Sequence, residues 1–410
     1  MRFLYYTHEN TTVFEAIVEN VDEMDGLRAQ GPYTVLELND NKLILNYVSK
    51  KKLHPDIVAA ICISAFYPFI KYTATMPEPV SPAFAAALQM DFLPAHTVQD
   101  GVYRALCPIT ITNIDATVLP YKGSNTVITY GGGADSTACA LLYPEFPLIH
   151  MTNTYKPKSA VKNFAETKLP NMYVEVASNI WSISKPGGFP CWTSIFVAPL
   201  LFTADMDIGS ISSGAMLASV CMANGHKYLD GFQKRKSMGR WYDFYQKIGV
   251  TIFSVVAGCS ELITSKIVVK NNLALDTLFC ETNAGKPCFK CTKCLRKCLT
   301  FEYNGAQLPE NIWVNFQNEK IYSFLKQRPL MFAVEFLESI KNSKTVPQVL
   351  VDCVKDIIDT KTDVFTKAYT KVNFSFPEAI ERSFTERISP YCDIMTPADE
   401  SYLESWDMTK

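Results

Sequence analysis

The chain has 410 residues, a formal charge of −2, and 48% hydrophobic against 20% charged residues. Its length excludes a single small module, its near-neutral charge excludes a generic polyanion binder, and its apolar content excludes extended disorder. The first residues, MRFLYYTHENTT, contain no apolar stretch of signal-peptide length. The longest apolar run, Ile57 to Ile70, carries Pro68 and falls short of the roughly 20 residues that a membrane span needs. A cytoplasmic chain with no membrane association is therefore expected.

Residues 1–118 alternate strand-like runs, Tyr33 to Leu38 and Lys42 to Tyr47, with a helix over His54 to Phe69, and read as an α+β N-terminal unit. From Asn125 the pattern becomes strand, glycine turn, helix, strand: VITY, GGGADS, TACALLY, PLIHMTN. A further strand from Met172 to Val176, the Pro186–Pro190 turn, a helix over Thr193 to Ala204 and a strand over Ile208 to Ser212 follow. This alternation predicts an α/β, doubly wound, mostly parallel sheet over 119–304, with ligands at the C-terminal ends of its strands. Amphipathic spacing in Tyr322 to Ile340 and Val346 to Ile358 predicts a helical C-terminal unit over 305–410. Pro390 to Lys410 shows no strong period, which leaves a packed tail and a disordered one both open.

The glycine turn Gly131-Gly132-Gly133-Ala134-Asp135-Ser136-Thr137 lies between a strand and a helix. Three glycines allow close backbone approach to an anion, and the N–H groups of the helix start favour phosphate. Asp135 is suited to hold a magnesium ion bridging phosphate oxygens, and Ser136 and Thr137 add hydroxyl donors. Neither the Walker pattern nor the dinucleotide GxGxxG is present.

Five of the thirteen cysteines run as C-x7-C-x2-C-x2-C-x3-C: Cys280, Cys288, Cys291, Cys294 and Cys298. Four thiolates at such spacing close a tetrahedral zinc site. An iron–sulfur cluster is the rival, although Leu299 follows Cys298 where the ferredoxin run has proline. Lys234-Arg235-Lys236 and Arg240-Trp241-Tyr242 mix cations with aromatic faces; they suit either base stacking or a solvated face.

The turn resembles the SGGxDS loop of the N-type ATP pyrophosphatase (PP-loop) superfamily, with Gly131 where the family has its first serine. Together with Cys280, Cys288, Cys291 and Cys294, and with Thr264-Ser265-Lys266-Ile267-Val268 resembling the segment that leads into the zinc site, the pattern is similar to that of the 7-cyano-7-deazaguanine synthases. The resemblance spans Asn125 to Phe301. The family's Pro-Gly-Arg-Asn turn is matched only by Pro186-Gly187, and its Asp-Cys-Arg substrate segment has no counterpart, so a changed acceptor is expected.

The resemblance implies an adenine nucleotide alpha hydrolase-like fold and an ATP-dependent ligase forming a carbon–nitrogen bond. A carboxylate or amide oxygen of a purine-like or other substrate would be adenylylated with release of pyrophosphate, and ammonia would displace AMP. It implies ATP, Mg2+ and Zn2+ as cofactors, Gly131 to Thr137 around the nucleotide, and Asp135, Ser136 and Lys266 as catalytic candidates. His150 is read as a hydrogen-bonded structural histidine. A tRNA-thiolation enzyme of the same superfamily, with a nucleic acid or protein acceptor, and a non-catalytic nucleotide-binding subunit stay open as alternatives.

Overall fold

Residues 1–18, 28–30, 35–70, 72–89, 109–154, 159–185, 194–223, 225–229, 238–280, 286–372 and 376–408 are described in a computed structural model. Eight strands form the main sheet: β1 (Arg2–His8), β2 (Thr11–Ile17), β3 (Lys42–Leu45), β4 (Asn125–Thr129), β5 (Leu148–Asn153), β6 (Tyr173–Ser178), β7 (Ile208–Ser212) and β8 (Thr251–Phe253). Their spatial order is β1-β2-β3-β6-β5-β4-β7-β8. The last five are parallel, and the centre of that block is rich in buried branched residues, as a sheet covered by helices requires. Ile128 lies opposite Leu148, while Ile211 pairs with Val127 on one side and Ile252 on the other. The chain winds outward from β4 through β5 to β6, then returns to the other side of β4 for β7 and β8. Strand order therefore reverses between β4 and β7, where an open α/β sheet leaves a crevice at its C-terminal edge.

The N-terminal segment adds antiparallel strands to this sheet. Its junction is a single residue pair, Leu45 with Ser178. Buried Asn179 compensates for the short ladder: its Oδ1 accepts from Ile44 N at 2.7 Å, and its Nδ2 donates to Lys42 O at 2.8 Å. The expected boundary at 118 is thus a change of connectivity within one sheet, and one hydrophobic core runs from Met1 to Trp406.

The helices that shape the site are α1 (Pro55–Phe66), α2 (Ala134–Leu142), α3 (Ser159–Lys168), α4 (Ser194–Leu201), α5 (Met238–Lys247), α6 (Glu261–Lys270), α7 (Thr292–Tyr303), α8 (Ala333–Asn342) and α9 (Pro397–Glu404). Helix α4 crosses β4, β5 and β7 and packs against α1, whose apolar residues are almost all buried. Helix α2 packs on α6, α6 on α7, and α7 on α8, so the C-terminal helices connect to the sheet through α6. No helix among the described residues is long and apolar enough to cross a membrane.

One expectation for the C-terminal region is revised, and one alternative left open is decided. The helix read over Tyr322 to Ile340 is divided into Glu319–Leu325 and α8. Pro329 removes a backbone donor and restrains Arg328, and Phe332 enters α8 from a left-handed conformation, φ 57°. The aperiodic tail is packed: α9 opens with a Thr396/Asp399 capping box, and Leu403 and Trp406 are buried. Tyr228 N donates to Trp406 O at 2.8 Å, and Lys227 pairs with Asp407 at 2.7 Å. The turn at 186–190, the residues Lys234 to Lys236 and the side chain of Arg240 lie outside the described set. Trp241 and Tyr242 are core residues of α5, with Trp241 edge-on to Tyr67 at 4.9 Å, so the aromatic part of the expected stacking surface faces inward.

The crevice depends on how closely β7 approaches the segment before β4. A Cβ placed on Gly209 would lie 2.0 Å from the Gly123 carbonyl oxygen, at a register shift between Ile208 and Ser210. Backbone cannot yield as a flexible side chain does. Gly209→Ala is expected to cost about 3 kcal/mol or more, measured as a loss of urea-unfolding free energy against wild type.

Candidate functional site

The loop after β4 divides its glycines between two tasks. Gly132 has φ +76°, the left-handed region in which a side chain is strained, and its carbonyl accepts from Leu278 N at 2.7 Å. A Cβ on Gly131 or Gly133 would meet nothing within 4 Å. Those two faces open on a cavity of about 660 Å³ that is also lined by Ala134, Asp135 and Ser136. Gly133 is the N-cap of α2 and brings no side-chain acceptor, so the first-turn N–H groups have no cap from that residue. The positive end of the α2 dipole points into the same space. Ser136 Oγ donates to Gly133 O at 3.1 Å. Thr137 is buried instead, with its hydroxyl 3.2 Å from that of Tyr130. Gly132 and Thr137 thus shape the loop without lining the cavity.

Ser213, Gly214 and Ala215, directly after β7, also line the cavity. A Cβ on Gly214 would sit 2.9 Å from Ser136 N, so only glycine lets this backbone lie against the start of α2. Sequence reasoning missed Gly214; its signal is a glycine right after a strand on the far side of the switch point.

The charged centre of the cavity is a buried ion cluster. Lys297, from α7, is 1% exposed; its Nζ lies 3.0 and 3.2 Å from the Asp135 carboxylate oxygens and 2.7 Å from Glu261 Oε1. Thr264 Oγ1 donates to Asp135 Oδ1 at 2.7 Å. Arg296 Nε stands 2.7 Å from Glu261 Oε2, and its guanidinium stacks 3.6 Å above the Phe332 ring. Burial works against the ionised Asp135, yet Lys297, Thr264 and Arg296 hold its carboxyl below the usual range. Burial likewise opposes the Lys297 ammonium, but Asp135 and Glu261 keep it protonated, with its pKa raised.

The site cation is therefore Lys297, with Lys293 also on the cavity wall. Lys266 is on α6 but does not line the cavity, and its charge acts on Cys392. The Thr264-Ser265-Lys266 segment contributes its threonine to the site.

Cys280, Cys288, Cys291 and Cys294 bring their sulfurs within 4.8 Å of one another. Cys291 caps α7 and accepts from Cys294 N at 3.4 Å, and Cys288 accepts from Lys290 N at 3.4 Å across a turn in which Phe289 has φ 53°. Tetrahedral zinc with bonds near 2.3 Å sets its sulfurs about 3.8 Å apart; Cys288 and Cys294 are separated by 3.7 Å. The four residues fit one zinc ion. A multi-iron cluster would hold its thiolates further apart. Burial pushes the Cys291 and Cys294 thiols up, so a bound dication is what would draw off their protons. Cys298 is buried one turn on and stands outside the group. Cys280 also lines the main cavity, so the cysteine centre and the glycine loop share a wall.

A second pocket of about 220 Å³ adjoins the first through Gly131 and Ile195 and is walled by Ile149, Met151 and Trp181. His150 lines it, buried, with Nδ1 2.7 Å from the Tyr173 hydroxyl, as a structural histidine is.

Elemental analysis is expected to find one zinc per chain, lost in Cys288→Ser and Cys291→Ser and retained in Cys298→Ser. A separate expectation concerns Glu335 of α8, whose carboxyl is pushed up to about 8 by burial and then by Glu261, with Arg296 pulling it back. Against an ordinary value of 4.5, the native chain holds one more proton than the unfolded chain between these two pH values. Stability from this group is thus complete below pH 4.5 and falls as pH rises toward 8. Glu335→Gln should flatten that part of a Tm-against-pH curve; an unchanged slope would remove Glu335 as its source.

A family model described as a family of unknown function (DUF6395) matches residues 240–407. That span holds α6, the cysteine centre, Lys297 and the C-terminal helices, and stops short of the glycine loop. No curated protein matches the chain.

Proposed function

We propose that the protein is an ATP-dependent ligase of the PP-loop pyrophosphatase type, with an adenine nucleotide alpha hydrolase-like fold. In this reading it adenylylates a carboxylate or amide oxygen of a small, purine-like or related substrate and releases pyrophosphate. The observation that carries the reading is the glycine loop at the strand-order reversal. Gly131 and Gly133 have open faces, α2 begins without a side-chain cap, and Asp135 and Lys297 stand at one cavity. Polyphosphate is what such a combination of backbone donors, dipole and ammonium holds. The second pocket, where Ile149, Met151, Trp181 and Ile195 stand beside Tyr130 and His150, supports a flat heterocycle next to that loop.

In chemical terms, the substrate oxygen attacks the α-phosphorus, the bond to the bridging α–β oxygen breaks, and its electron pair leaves on pyrophosphate. Ammonia then displaces AMP from the activated carbon, losing a proton as the carbon–nitrogen bond forms. The residues contribute position and charge. The first-turn N–H groups of α2 would hold the leaving phosphates, Lys297 would meet charge as it gathers there, and Asp135 would hold magnesium. Magnesium, when bound, would neutralise phosphate charge. Four converging sulfurs, those of Cys280, Cys291 and Cys294 on buried residues, favour an inert zinc over the exposed, mobile thiols that a sulfur-transfer enzyme needs.

With ATP, Mg2+, ammonium and a panel of carboxylate acceptors that starts from 7-carboxy-7-deazaguanine, the expected products with the matching acceptor are AMP and pyrophosphate. Asp135→Ala should lower pyrophosphate release by at least ~100-fold while leaving the zinc content unchanged. Formation of ADP and phosphate, or normal release in that variant, would sink the assignment.

A further inference from the structure

Lys297 has two carboxylate partners, and they are not equivalent. Glu261 is fully buried, and Arg296 holds its other oxygen at 2.7 Å while stacking on Phe332. That side of the cluster is buried, and Glu261 does not line the cavity. Asp135 is 24% exposed, lines the cavity, and sits in the first turn of α2, where backbone N–H groups and the helix dipole favour negative charge. An anion entering the glycine loop thus approaches the place that the Asp135 carboxylate already serves as a negative charge, and the nearest buried cation is the one Asp135 holds.

We propose that Lys297 is the phosphate-contacting cation of the site and that it changes partner on binding. In the ligand-free chain it is the counter-ion of Asp135. When a metal–phosphate enters, its ammonium turns to a phosphate oxygen, and Asp135 turns to the metal. Glu261 keeps one contact with Lys297 throughout and holds Nζ within reach, while Arg296 and Phe332 fix Glu261; these three are positioning residues. This inference rests on the nucleotide reading and adds to it the residue that meets the phosphate and the pair that must open. The exchange keeps each charge compensated, which matters because a buried ion left without a partner is strongly unfavourable.

The test is calorimetric titration of inorganic pyrophosphate in magnesium-free buffer into wild type, Asp135→Asn, Lys297→Met and the double variant. Circular dichroism and zinc content report on folding in each. Asp135→Asn frees Lys297 and should bind pyrophosphate about tenfold tighter than wild type, the scale of one charge-assisted hydrogen bond. Lys297→Met should bind at least tenfold more weakly, and adding Asp135→Asn to it should bring no gain. If Lys297→Met leaves Asp135 and Glu261 too repulsive to fold, Lys297→Gln takes its place, since its amide can donate to both.

No gain in folded Asp135→Asn would overturn the exchange. So would a gain that persists without Lys297, because it would then report only relief of repulsion. Wild type that binds neither pyrophosphate nor magnesium ATP would overturn the nucleotide reading and this inference together. Wild type that binds both, without the Asp135→Asn gain, would overturn this inference alone.

Discussion

A lysine that is 1% exposed can stay charged only if anions surround it, and in this protein that need joins three helices. Lys297 of α7 meets Asp135 of α2 and Glu261 of α6, while α6 packs on both α2 and α7. Buried ion pairs are a weak source of stability, since hydrophobic residues of the same volume often serve as well. A cluster of this kind on a cavity wall is better understood through the charge it presents to a ligand.

Everything else near the cavity keeps that cluster in register with the glycine loop. The cysteine turn sets the start of α7, with Cys291 as its cap, three residues before Cys294 and six before Lys297. The segment leading to Cys280 is tied to the loop by the hydrogen bond from Leu278 N to Gly132 O. A metal on the four sulfurs would therefore brace Lys297 and the glycine loop together. The C-terminal helices reach the same point through Phe332, under Arg296, and through Glu335, whose carboxyl is pushed up by burial and by Glu261.

The N-terminal segment contributes in another way. Its strands pair through Asn179 and one residue pair with β6, so they widen the sheet on the side of the second pocket, away from β7 and β8. The reversal of strand order, and hence the crevice, belongs to β4 and β7 alone.

Much of the site is legible in the sequence because it is local. A strand, three glycines and a helix start within a few residues define a turn with open backbone faces and uncapped N–H groups whatever surrounds them, and C-x2-C-x2-C turns bring sulfurs close together by their own geometry. The alternation of strands and helices likewise determines a mostly parallel sheet. What only the tertiary structure decided joins residues far apart. Lys297 is 162 positions from Asp135, Gly214 fits against Ser136 from across the switch point, and Arg296 stacks on Phe332. A lysine in a run of lysines beside cysteines looks solvated in one dimension, and only the packing of α7 on α6 and α8 turns it inward. Lys266 shows the converse, since the helix that carries it presents Thr264 to the site. Local chemistry is written in short spacings; which charge finds which partner is set by the packing of helices that the sequence does not order in space.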